Sequence, residues 1–108
     1  MNIQYKKGVL EICILAELNR GDVYGYELST EISKRIEISD GTVYPILRKL
    51  KNDGYVTTFL SEASGGPARK YYSITEAGKE KFKREVKDWM KFTKTVHEML
   101  GGGDDETK

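Results

Sequence analysis

A chain of 108 residues has room for one domain with one modest core, and little surplus for a second lobe. At 38% hydrophobic and 32% charged it fits a soluble, helix-rich protein, and no apolar run approaches the roughly 20 residues of a membrane span. The net charge of +1 announces no polyanionic partner by itself, so the distribution of charge has to carry that question.

The first predicted element is a helix over residues 6–19, "KKGVLEICILAELN". Val9, Leu10, Ile12, Cys13, Ile14, Leu15, Ala16 and Leu18 cover most of its circumference. A helix apolar nearly all round is buried on more than one side. In so small a protein, one face meets the core and another meets a partner. The basic-then-apolar start is unlike a secretory signal, because Glu11 and Glu17 interrupt it and no small-residue cleavage site follows. Cys13 is the sole cysteine, cannot form an internal disulfide, and reads as a small core residue. A chain without disulfides is expected in the cytoplasm. Gly21 is expected to end the helix as a left-handed cap.

A second helix is predicted from about Tyr24 to Arg35, with Leu28, Ile32 and Ile36 as its stripe and Ile38 tucked inward after it. The third lies in "SDGTVYPILRKLKNDGYV", residues 39–56. Ser39 is a good N-cap. Val43, Ile46, Leu47 and Leu50 share one face. Pro45 falls near the start, where its ring needs room, and a loosened or kinked opening is expected there. Asn52-Asp53-Gly54 stops the helix.

Two strands follow, "YVTTFLS" and "RKYYSI", both rich in Tyr, Thr and apolar residues. The loop between them, "EASGGPA", makes a hairpin with a long polar tip almost free of apolar residues. Tyr71 and Tyr72 alternate, so one packs inward and the other lies at the surface. Thr75 caps a last helix, in which Gly78 costs a little propensity. The expected fold is mainly α with a small β-hairpin: a winged helix-turn-helix with an added C-terminal helix. Residues 1–74 form the winged-helix domain, 75–100 a dimerisation helix, and 101–108 a flexible tail.

Catalysis has no residues to support it. His97 and Cys13 are single and far apart, and no metal-binding, nucleophile or phosphate-loop motif is present. His97 reads as a surface residue favoured by the helix C-terminus. No enzyme activity, cofactor or metal is expected.

Nucleic-acid binding has more. The tail after Leu100 carries a net charge of −2, and residues 42–74 carry +3. With Val43, Ile46, Leu47 and Leu50 inward, Thr42, Pro45, Arg48 and Lys49 face outward and Tyr44 lies on the flank. A recognition helix turns its first residues to base edges. Thr42 suits bases, Arg48 and Lys49 suit guanine or phosphate, and the Tyr44 hydroxyl suits a phosphate oxygen. Arg69 and Lys70 follow the glycine-rich tip, where a hairpin lies along a backbone or enters a minor groove. The bland reading is a surface helix with an incidental proline and three cations.

Phe82, Val86, Trp89, Thr93, Val96 and Leu100 step by heptad spacing along the last helix. A second copy is the economical cover for that seam, and two-fold symmetry then sets two recognition helices on a palindromic operator. Intramolecular packing on the first helix is the alternative. Trp89 either packs in the seam or offers a platform for a planar aromatic.

Taken in order, "KKGVLEICILAEL", "YGYEL", "SDGTVYPILRKLKNDGYV" and "GGPARKYYSITEAGKE" resemble the PadR family of bacterial transcriptional regulators, over residues 5 to about 80. The single short C-terminal helix is similar to the small subfamily. The resemblance implies a cytoplasmic homodimeric winged-helix repressor. It implies DNA contacts from Thr42, Tyr44 and Arg48 on the helix, and from Gly66, Arg69 and Lys70 on the wing. Some small members bind planar drugs in a pore at the dimer centre, with a tryptophan of the fourth helix as platform. Trp89 matches that position, and the pore would also draw on Tyr5, Gly8 and Ile12. An acid one turn after the tryptophan would favour cationic drugs, and here Thr93 stands there instead. The rival from another class is a winged-helix adaptor that meets a protein rather than DNA.

Overall fold

The computed structural model describes residues 3–62 and 65–102, with the side chains of all of these except residues 3–7 and 40. Among them the order is α1 (Ile3–Arg20), β1 (Val23–Tyr24), α2 (Gly25–Ile36), a 3-10 turn (Asp40–Thr42), α3 (Val43–Asn52), β2 (Val56–Ser61), β3 (Arg69–Ile74) and α4 (Glu76–Met99). This is the expected winged helix-turn-helix with a C-terminal helix. No described helix is long and apolar enough to cross a membrane.

The sheet has one strand more than the sequence reading. Val23 and Tyr24 are extended and pair with Tyr72 and Tyr71, so β3 is central in an antiparallel order β1-β3-β2. Tyr24 was expected inside the second helix and instead precedes it, with φ −62° and ψ 128°. Gly25 then opens α2 beneath the Tyr72 ring, where a Cβ would come within 2.8 Å of a ring carbon. The glycine lets helix and strand close on each other.

α1 buries Leu10, Ile14, Leu15 and Leu18. They meet Leu28 and Ile32 of α2, Val43, Ile46, Leu47 and Leu50 of α3, and Val56 and Tyr72 of the sheet. Each fully buried aliphatic side chain contributes about 1.5–3 kcal/mol of transfer free energy. Val9, Ile12, Cys13 and Ala16 form the other side of α1 and are only half-buried. Cys13 packs at the edge of the core rather than inside it. Gly21 has φ 159°, close to extended, and is not the left-handed cap expected. Its N–H still closes the last turn onto the Leu18 carbonyl at 3.2 Å.

The opening of α3 is loosened as Pro45 suggests. A 3-10 turn leads in, and Pro45 is the third residue of the α-helix proper, where a helix start leaves N–H groups unpaired anyway. Ser39 does not cap by its side chain. Its hydroxyl pairs with the Thr42 hydroxyl at 2.9 Å instead. Gly54 ends the helix at φ 84°.

α4 is tied down at its start. The Thr75 hydroxyl accepts from the Gly78 N–H at 3.0 Å and donates to the Gly54 carbonyl at 2.8 Å. Phe82 packs on the core, and no described residue after it is fully buried. The radius of gyration is 16.3 Å with extents of 56 × 28 × 23 Å. A compact chain of 100 residues would give about 13 Å. The difference is α4 standing out from the domain.

Candidate nucleic-acid interface

With Val43, Ile46, Leu47 and Leu50 turned inward, Tyr44, Arg48 and Lys51 share a flank of α3 at helical spacing. Strand alternation puts Lys70 on the same sheet face as Tyr72, which is buried. These five residues line one open cleft of about 430 Å³ between α3 and β3. Three of the five are cations and none is a carboxylate. Burial raises the Tyr44 phenol above its ordinary pKa, and the neighbouring Tyr24 and Tyr26 add to the rise. Burial also raises Tyr72, with Tyr44 adding and Arg48 opposing. Both hydroxyls therefore stay protonated donors at neutral pH. Cations and neutral donors around an open cleft are the chemistry that receives a phosphate diester.

Tyr44, Arg48 and Lys70 are thus brought together, and the other candidates are not. The Lys49 ammonium donates to Asp53 at 3.0 Å, and that hydrogen bond raises its pKa. It lies on the flank of α3 away from the cleft. Thr42 is half-buried, with its hydroxyl against Ser39. The Arg69 guanidinium lies over the Tyr24 ring, 4.9 Å from its centroid. That is the opposite face of the sheet, where Phe59 stacks on Tyr71 at 5.6 Å and Tyr71 meets Tyr24 at 5.9 Å. Gly66 is exposed at the wing, with open space where a Cβ would stand. The sequence reading missed Lys51 as a site residue, although its spacing from Tyr44 and Arg48 signalled it. Outside the polar tip, Leu60 of β2 is 68% exposed.

The α4 candidates lie elsewhere. Ile12 and Trp89 line a shallow pocket of about 320 Å³ with Phe92, Glu85 and Asp88. The Tyr5 side chain lies outside the described residues, and Gly8 is exposed on α1. Thr93 does not line the pocket, and its hydroxyl donates back to the Trp89 carbonyl at 3.0 Å. The acid sought one turn after Trp89 stands one turn before it, as Glu85, with Asp88 adjacent. Of the heptad positions, Phe82 packs on its own core, Val86, Trp89 and Val96 are half-buried, and Leu100 is exposed.

Lys81 fastens α4 to α1. Its ammonium reaches Glu85 at 2.7 Å and Glu11 at 3.7 Å, and lies 4.9 Å from the Tyr55 ring centroid. Burial alone would lower its pKa, and the hydrogen bond and charge of Glu85, with Glu11 and Tyr55, raise it overall.

The model of the transcriptional regulator PadR-like family matches residues 14–84. A crystal structure of a PadR-like transcriptional regulator from Bacillus cereus is 39% identical, covers 90% of this chain and 96% of its own, and superposes with a TM-score of 0.81. A Streptococcus transcriptional regulator is 31% identical over 90% of this chain and 97% of its own, with a TM-score of 0.83. The negative transcriptional regulator PadR of Bacillus subtilis is 28% identical over 86 residues, which cover 76% of this chain and 45% of that protein.

Proposed function

The chain belongs to the PadR-like family of transcriptional regulators, whose work is DNA-binding regulation and not catalysis, and from that premise we propose that it is a homodimeric cytoplasmic repressor. Each copy grips a half-site of a palindromic operator through α3 and the β2–β3 wing. The observation that carries this reading is the acid-free cleft of Tyr44, Arg48, Lys51, Lys70 and Tyr72. A helix in the major groove needs its backbone contacts on the flank that faces the neighbouring phosphates, and α3 has its cations on that flank. Thr42 at the head of α3 reads bases. Lys49 on the other flank of α3, and Gly66 and Arg69 on the wing, add contacts outside the cleft. The negative regulator from Bacillus subtilis supports repression over activation.

Dimerisation rests on α4. Val86, Trp89, Val96 and Leu100 run along a helix that the domain covers only in part, and Met90, Phe92 and Met99 beside them are all more than half exposed. A second copy removes that surface from water. The pocket at Trp89 then lies near the two-fold axis. There a planar aromatic stacks on the indole, and Glu85 and Asp88 favour a cationic one. Ligand between the α4 helices changes the spacing of the two α3 helices and loosens the operator.

A gel shift against the DNA upstream of the chain's own gene, at low and high salt, tests this function. A sequence-selective shift that weakens with salt is expected. No selective shift at low salt contradicts it. A protein-binding adaptor is the second reading, favoured by the exposed Leu60 on the wing. Replacing Arg48 and Arg69 together by Ala separates the two. A DNA reader loses affinity, while an adaptor keeps its partner.

A further inference from the structure

Lys81 stands where the α1–α4 joint and the Trp89 pocket meet. Its ammonium donates to Glu85 at 2.7 Å, one turn along α4, and lies 3.7 Å from Glu11 of α1. Glu85 in turn lines the pocket, and so does Ile12, the neighbour of Glu11 on α1, while Lys81 does not. Glu85 therefore has a resident cation on one side and the open pocket on the other. All three charged side chains are mostly withdrawn from solvent, at 14% exposure for Lys81, 30% for Glu85 and 24% for Glu11. Burial works against the charge on Lys81, but Glu85 and then Glu11 more than offset it, so the ammonium stays charged.

This arrangement divides the two acids of the pocket. Among the described residues Asp88 has no ion-pair partner, whereas Glu85 is taken. A cation that enters over the indole meets Asp88 directly, but it reaches Glu85 only by replacing the Lys81 ammonium. Pulling Lys81 away without a substitute would leave a half-buried carboxylate unpaired, which is costly. A planar cation supplies the substitute, and a neutral ring does not. The displaced ammonium has a second seat at hand, with Glu11 at 3.7 Å and the Tyr55 ring centroid at 4.9 Å. The exchange strands no charge.

We infer that Lys81 sets the charge selectivity of the Trp89 pocket: a planar cation takes Glu85 from it, and the ammonium passes to Glu11. This rests on the effector reading of Trp89 and specifies how that site tells a cation from a neutral ring. The exchange also writes ligand binding into the fold. Lys81 and Glu85 both belong to α4, so their pairing holds nothing across the joint, whereas Lys81 seated fully on Glu11 draws α4 closer to α1. Tyr55, whose ring Lys81 overlies, donates its N–H to the Leu50 carbonyl of α3 at 2.9 Å, so the joint that tightens adjoins the end of α3.

Two ligands with one ring system test this through Trp89 quenching at slightly alkaline pH: 9-aminoacridine, a cation there, and acridine, which is neutral. Lys81→Met frees Glu85 and should tighten 9-aminoacridine about tenfold, with acridine unchanged. Lys81→Arg keeps the charge but grips the carboxylate by two bonds, and should weaken 9-aminoacridine about threefold. Glu11→Gln lies outside the pocket, removes the second seat, and should also weaken 9-aminoacridine about threefold. Unaltered acridine binding shows that each variant keeps a folded pocket. Tightening in Lys81→Met with no change in Lys81→Arg would mean that the lysine acts only through its field, and overturns the exchange. Unchanged or weaker 9-aminoacridine binding in Lys81→Met overturns it as well and leaves the pocket standing. No quenching of the wild type by either ligand overturns the effector reading and this inference together.

Discussion

Gly78 lies directly against the Tyr55 carbonyl, so that a Cβ built at residue 78 overlaps the Tyr55 oxygen. The same carbonyl accepts from the Thr75 N–H at 3.1 Å. The first turn of α4 is therefore locked to the start of the wing at backbone level. Gly78→Ala gains helix propensity and still destabilises, because backbone cannot move aside as a side chain can. The expected cost is about 2 kcal/mol, read as a fall of about 10 °C in Tm by calorimetry. An unchanged or higher Tm would mean that α4 does not sit this close.

Lys81 should matter more than an ordinary surface lysine. It bridges Glu11 of α1 and Glu85 of α4, and lies on the Tyr55 ring. Glu11 and Glu85 still reach solvent, so screening holds the loss in Lys81→Met to about 1 kcal/mol. Its pKa is raised on folding. The contribution is complete below the ordinary lysine pKa of about 10.4 and is lost as pH rises through the higher folded value. Denaturant melts of wild type and variant should therefore converge only at strongly alkaline pH. A stability difference that persists undiminished through strongly alkaline pH would assign the effect to packing.

Lys49 and Arg48 are neighbours with different tasks. Lys49 is paired with Asp53, whereas Arg48 opens into the cleft. Arg48→Ala should weaken operator binding about tenfold or more, and Lys49→Ala should weaken it several-fold less. Tyr44→Phe removes only a donor and should cost about tenfold through the lost phosphate contact. Equal effects at residues 48 and 49 would place the backbone contacts on both flanks of α3.

Trp89 reports on ligand. Planar cationic dyes should quench its emission, because the indole borders the pocket and no other tryptophan contributes. Asp88→Asn should weaken that binding about threefold, and less at high salt. Unchanged emission across a panel of planar aromatics would leave Trp89 as packing alone.

The long elements were legible because their signals repeat. The stripe of Val43, Ile46, Leu47 and Leu50 fixes both the helix and its inward face, and "RKYYSI" marks β3 by alternation. β1 escaped because two residues cannot display a period, and its existence depends on Tyr71 and Tyr72 across the sheet. Ser39 misled because its residue type suits a cap, while the 3-10 turn gave its hydroxyl to Thr42. Gly78 read as a small local cost, since nothing local shows that Tyr55 will come to lie above it. The site divides in the same way. Arg48 and Tyr44 follow from the helical period, but the separation of Lys70 from Arg69 appears only once Tyr24 takes the Arg69 guanidinium on the far face of the sheet. Both residues sat in one basic cluster in the sequence, and the strand sends them to opposite sides.

The most direct test of the proposed function is a fluorescence-anisotropy titration of the upstream operator duplex over a range of salt, with wild type and Arg48→Ala/Lys70→Ala in parallel. Wild type should bind selectively, with affinity falling steeply as salt rises. The double variant should bind more weakly, with the slope of log affinity against log salt reduced by about 2. A double variant that matches wild type in affinity and slope would contradict the placement of the DNA backbone in the α3–β3 cleft.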